Sequence, residues 1–137
     1  MYDEDEPRFT DDLGRLLLRL GLGAVILLHG IDKILHPAAI EFIARHVRAA
    51  GLPEFVTHGV YIGEIVAPLM LIFGVFSRLG GLLISINMGF AIYLVHRSQL
   101  LQLTEHGGWQ LELQGMLLLC GLVIALLGGG RLALVRD

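Results

Sequence analysis

Apolar side chains fall in four long runs, over residues 16–31, 57–76, 79–95 and 111–127, with short polar stretches between them. A helix that crosses a bilayer needs roughly twenty apolar residues, and a lone strand in lipid would leave its backbone groups unpaired. The four runs therefore predict membrane helices. Arg19 interrupts the first run, and its guanidinium is expected to snorkel one turn toward the interface. After Pro37, Ile40, Ile43 and Val47 recur at three- and four-residue spacing while Glu41, Arg45 and Arg48 fall on other faces. That pattern predicts an amphipathic helix lying in the interface and closed by Gly51. The short link Ser77-Arg78 makes the second and third helices an antiparallel hairpin. A polar stretch over 96–110, carrying Trp109, leads into the last run, and the Gly-Gly-Gly-Arg at 128–131 stops it. The expected fold is all-α: an integral membrane four-helix bundle, antiparallel up-and-down, with a short interfacial helix between helices 1 and 2.

Composition sharpens this picture. The chain is 55% hydrophobic and 17% charged, with mean hydropathy +0.71, too apolar for 137 residues to hide in one soluble core. The net charge of -3 conceals a local excess, because Asp3, Glu4, Asp5, Glu6, Asp11 and Asp12 crowd the start. Residues 1–12 read as an acidic segment, disordered or available for docking, and 13–137 as the membrane domain. One cysteine, Cys120, leaves no internal disulfide or dithiol pair, and its apolar setting points to packing. The acidic N-terminus is unlike a cleaved signal. Arg8, Arg15, Arg19, Arg78, Arg131 and Arg136 lie on one side of the expected topology, against Lys33, Arg45, Arg48 and Arg97. The bias favours both termini on the cytoplasmic side of a bacterial-type cytoplasmic membrane. No nucleic-acid partner is expected, and there is no phosphate loop, GxGxxG or hydrolase motif.

The candidate chemistry lies at one end of the helices. Glu64 is a carboxylate within an apolar span, where charges face a bundle interior or a cavity and mark functional sites. Up-and-down order brings His29 and Lys33 at the end of helix 1, Tyr61 and Glu64 in helix 2, His96 after helix 3 and Glu112 opening helix 4 into the same leaflet. His29 and Lys33 stand one turn apart, as do Tyr61 with Glu64. Paired with Lys33 or a protonated His29, Glu64 stays ionised; alone, it takes up a proton. Either state suits a quinone or proton site, with Glu64 and His29 as the reacting groups and Lys33, Glu112, His96 and Tyr61 lining the headgroup. Taken singly, Lys33, His96 and Glu112 are equally explained as interfacial charges. Asn87 reads as an interhelical hydrogen-bonding residue, and Gly81, Ser85 and Gly89 as a close-packing stripe. His36, His46, His58 and His106 read as solvent-facing. No HExxH or CxxC spacing supports a metal, and haem ligation by His29 and His96 is equally unsupported.

These residues together resemble the DoxX family of small membrane proteins. The resemblance runs from residue 13 to the C-terminus: His29-Gly30 followed by Lys33, Gly51-Leu52-Pro53, Glu64, a Gly74 to Arg78 turn leading into Leu79-Gly80-Gly81, Glu112, and the closing Gly-Gly-Gly-Arg. It implies a four-helix membrane bundle and, as in the namesake system, a small subunit of a thiosulfate:quinone oxidoreductase. Other members are associated with oxidative-stress complexes, maturation of redox enzymes and receptor chaperoning. What carries over by position is His29, Lys33, Glu64, Arg78 and Glu112.

Two function classes follow. In the first, the chain is a membrane subunit of a quinone-linked redox system, receiving electrons from a partner protein and holding no covalently bound cofactor. In the second, it is a non-catalytic assembly factor, anchor or chaperone, alone or as a homo-oligomer, and the polar cluster fastens the helices. A transporter is a third reading, and one protomer of four helices is small for a pathway with two gates.

Overall fold

The computed structural model describes residues 8–137, so Asp3, Glu4, Asp5 and Glu6 lie outside the described residues. The described chain is all-helical, with five helices: α1 Phe9–Leu35, α2 Pro37–Ala49, α3 Phe55–Phe73, α4 Ser77–Leu94 and α5 Glu112–Leu127. Three of them, α1, α3 and α4, are long and apolar enough to cross a membrane. Helix α5 is equally apolar, but its 16 residues make it shorter.

Local chemistry sets the boundaries. Asp11 and Asp12 stand in the first turn of α1 and Lys33 in its last, each matched to the helix dipole. His36 leaves the helical region (φ -126°, ψ 87°) because the residue before a proline is pushed toward extended backbone, and Pro37 then opens α2. At the end of α3, Gly74 adopts left-handed backbone (φ 70°), Gly74 N donates to Leu71 O, and Val75 N donates to Met70 O. This is a Schellman stop, and it turns the chain straight into α4.

Packing follows small residues. A Cβ on Gly81 would lie 2.5 Å from Gly121 O, and Ser85 Oγ donates to Leu118 O at 2.8 Å, so α4 and α5 cross backbone to backbone. Helix α1 meets α3 through Gly23 and Gly30; the former abuts Ile72 and the latter sits on the carbonyl of Glu64. Between them lies the core of Leu22, Ile26, Ala67, Leu71, Ile84, Met88, Leu117 and Ile124. The opposite faces are also apolar, with Leu17, Leu28, Phe73, Ile86 and Leu119 exposed, as helices bathed in hydrocarbon require.

Two expectations change here. Arg19 does not snorkel outward: it is 1% exposed, and its guanidinium donates to Leu71 O at 3.0 Å and Leu132 O at 2.8 Å. Leu71 is among the last four residues of α3, whose carbonyls lack helical partners, so a buried donor finds acceptors there. Asp11 and Asp12, placed from the sequence in the acidic segment, stand in the first turn of α1, Asp11 exposed and Asp12 turned inward. Asp12 is buried and accepts from Arg131 Nε at 2.6 Å and Arg131 N at 3.0 Å. The C-terminal tail is thereby strapped to the start of α1. Arg78 completes that end of the molecule by donating to Ala125 O and Leu126 O.

Candidate functional site

Pro68 shapes the central feature of α3. A proline inside a helix lacks the N–H that would bond the carbonyl four residues back, and its ring clashes with that carbonyl. Four residues before Pro68 is Glu64. The backbone relieves the clash by widening to a π turn over Ile62–Val66, in which Ala67 N donates to Ile62 O. Such wide turns recur at functional sites. Gly63 and Gly30 make room on either side: Gly63 lies against Asn87 of α4, where a Cβ would fall 2.5 Å from the Asn87 Cβ, and Gly30 receives the Glu64 carbonyl.

The widened turn holds the Glu64 side chain inside the protein, 3% exposed. Lys33 Nζ, from the last turn of α1, donates to Glu64 Oε1 at 2.8 Å. The pair lies at one end of a cavity of about 720 Å³, a volume typical of small-molecule sites. Its walls are largely apolar, with Phe42, Ile43 and Val47 from α2, Phe55 and Ile62 from α3, and Ile86, Phe90 and Leu94 from α4. Five polar side chains reach it: Lys33, Glu64, Asn87, His58 and His96. Helix α2, whose Val47 is fully buried, forms one wall with its apolar stripe and leaves Glu41 and Arg48 outside, joined at 2.9 Å.

Of the residues singled out from the sequence, the fold brings Lys33, Glu64 and His96 to this cavity and leaves His29, Tyr61 and Glu112 outside its lining. The stripe of α1 that meets α3 runs through Gly23, Ile26 and Gly30, and His29 is turned off that stripe into an exposed position. Tyr61 lies beside His58, ring centroids 6.3 Å apart. Glu112 is exposed beside Gly108, because α5 packs on the Gly81 and Ser85 face of α4 while the cavity lies along the Leu83, Asn87 and Phe90 face. His96 bonds Gln99 Oε1 at 2.9 Å. About 14 Å of helix rise separates its position from that of Asn87, so His96 marks the far end of the cavity from Glu64.

Sequence reasoning undervalued two residues. His58, read as solvent-facing, lines the cavity. The Asn87 side chain, expected to bond another helix, forms no hydrogen bond within the described chain and leaves its carboxamide beside Gly63, in the cavity that Glu64 also lines. The available signal was helical register: Leu83, Asn87, Phe90 and Leu94 fall on one face of α4. Among the described residues no group of three or more His, Cys, Asp or Glu side chains stands close enough to hold a metal ion.

Comparison with known proteins agrees with this picture at the level of family. The DoxX family model matches residues 14–97, more than half of the chain. A Bacillus subtilis (strain 168) protein named "Putative oxidoreductase CatD" is 28% identical over 123 residues, covering 90% of this chain and 85% of its own length. No solved structure matches.

Proposed function

Because the chain belongs to the DoxX family and is an integral membrane protein, we propose that it is the membrane subunit of a quinone-linked redox system and that the cavity beside Glu64 takes the quinone headgroup. The observation that carries this reading is the Lys33–Glu64 pair, bonded at 2.8 Å and set at one end of a long apolar cavity. A quinone is an amphiphile with two carbonyl oxygens and an apolar tail. Lys33 Nζ and the Asn87 carboxamide offer donors to a carbonyl oxygen, and the stretch from Ile86 to Leu94 matches an apolar tail.

Reduction of the ring takes two electrons and two protons. In this reading a partner protein supplies the two electrons, in keeping with the oxidoreductase name of the Bacillus relative, and both protons come from water, one of them relayed to the ring oxygen by the Lys33 ammonium, which Glu64 holds in place and which solvent reprotonates. A carboxylate and an ammonium in contact suit that task, since proton transfer needs donor and acceptor within hydrogen-bond reach. With α1, α3, α4 and α5 as four crossings, α2 lies along the membrane surface. Both termini then face the cytoplasm, as the arginine distribution favours, and the cavity opens toward the outer leaflet.

The directness of the Lys33–Glu64 contact favours a second reading, in which the pair fastens α1 to α3 in a non-catalytic assembly factor or anchor. One experiment separates the two. Protein purified in mild detergent is extracted and its quinone content measured, for the wild type and for Glu64→Gln and Asn87→Leu. The redox reading expects quinone near one equivalent or a substantial fraction of it, falling several-fold in both variants while each remains folded. A wild type that carries no quinone and binds none added as a short-chain analogue would refute it.

A further inference from the structure

The shortness of α5 has a structural counterpart at its start. Its 16 residues provide about 24 Å of helix, against a hydrocarbon core of about 30 Å. Contacts with α4 set its level: Arg78 Nη1 on Ala125 O at 3.1 Å, Ser85 Oγ on Leu118 O at 2.8 Å, and Gly81 against Gly121. In this antiparallel register Glu112 stands level with Ala91, about one turn inside the end of α4 at Leu94. Part of the missing length therefore falls on the chain just before Glu112.

That chain is not the wholly polar loop its composition suggested. Leu100, Leu101 and Leu103 are 45%, 92% and 69% exposed, and Trp109 is 36% exposed. Leaving large apolar groups in water has no structural reason here, because none of these leucines belongs to the core. The backbone, meanwhile, is closed on itself. Leu103 and Trp109 form an antiparallel bridge, Thr104 N donates to Gly108 O at 2.6 Å, and Gln110 N donates to Gln102 O at 2.9 Å. Trp109 Nε1 donates to Leu100 O at 2.8 Å, and the indole ring lies over Gly115 of α5. A loop that pairs part of its own backbone while its leucines point out is one that a lipid interface tolerates, since water there reaches the remaining groups. Arg97, 4.8 Å above the Tyr93 ring, sits at the adjoining end of α4 as interfacial cation and aromatic pairs do.

We propose that the loop over residues 100–111 is the interfacial part of the last crossing: Leu100, Leu101, Leu103 and Trp109 enter the boundary between headgroups and acyl chains in the leaflet nearest α2. The turn at Glu105 and His106 faces water. The occupant of this surface is the bilayer itself, and the assignment does not depend on the redox reading.

Trp109 is the single tryptophan of the chain, so its fluorescence reports this loop alone. The full-length protein is reconstituted in phosphatidylcholine vesicles containing lipids brominated near the headgroup or at the end of the acyl chain, with iodide as the aqueous quencher. A second reporter, Leu101→Trp in a Trp109→Phe background, places the probe at the most exposed leucine and guards against shielding of Trp109 by Gly115. The expected result at both positions is blue-shifted emission, with quenching by the shallow bromolipid at least ~2-fold stronger than by the deep one or by iodide, as for interfacial aromatics. Strong iodide quenching of Leu101→Trp with none by bromolipid would overturn the proposal in favour of an aqueous loop. Quenching by neither would overturn it in favour of a protein contact.

Discussion

Replacing Lys33 by methionine strands Glu64 in a site where it is 3% exposed. At a separation of 2.8 Å the gross attraction between the pair is about 6 kcal/mol for an effective dielectric of about 20. Much of that attraction is offset by the cost of removing both charges from water. The single substitution removes the attraction and leaves the desolvation cost of Glu64 in place, so Lys33→Met is expected to destabilise by about 3–5 kcal/mol. The double variant Lys33→Met with Glu64→Leu removes both terms and is expected to recover most of the loss, ending within about 1 kcal/mol of the wild type or above it. The assay is reversible unfolding by SDS titration of the detergent-solubilised protein, followed by far-ultraviolet circular dichroism. A Lys33→Met cost below about 1 kcal/mol would mean that Glu64 finds water or another donor, and the pair would no longer explain the fold at that point. A double variant no better than the single would assign the loss to packing of the lysine stem. The double variant also has a functional use, because it separates fastening from chemistry: a stable protein without bound quinone is the outcome the redox reading requires.

Other consequences of the geometry can be checked separately. Pro68→Ala restores an amide opposite the Glu64 carbonyl and permits a regular helix, so Glu64 should rotate off its partner; a double-mutant cycle between positions 33 and 64 in that background should lose most of its coupling energy. Gly121→Val must push apart a crossing in which a Cβ would meet Gly81 O at 2.6 Å, and a loss of about 1–3 kcal/mol in the same SDS titration is expected. Arg19→Met removes the guanidinium from Leu132 O and leaves Leu71 O with only its bond from Gly74 N. It should cost on the order of 3 kcal/mol and raise hydrogen exchange in the tail over 132–135, where Leu134 N donates to Phe73 O and Val135 N to Gly74 O.

The helices themselves were legible because membrane spanning is a one-dimensional property. Hydropathy summed along the chain identifies a segment that must satisfy its own backbone in lipid; three of the four runs coincide to within a few turns with α1, α3 and α4, which are long and apolar enough to cross a membrane, and the fourth with the shorter α5. Periodicity also sufficed for α2, where Ile43 and Val47 turned inward and Glu41 and Arg48 outward. Glu64 stood out for the same reason, as a charge in a segment that penalises charge.

Which groups meet Glu64 was decided in three dimensions. By sequence His29 reads as a reacting group and Lys33, one turn on, as lining the site, yet the α1–α3 contact runs through Gly23 and Gly30, and a small rotation about the helix axis puts Lys33 at the cavity and His29 in an exposed position. Asn87 and His58 gained their place from a neighbouring helix, and Arg19 was retained in the interior by carbonyls of Leu71 and Leu132, remote from it in sequence. Hydropathy tells how deep a residue lies. The direction it faces depends on which ridge packs into which groove, and that choice is made by contacts between distant segments.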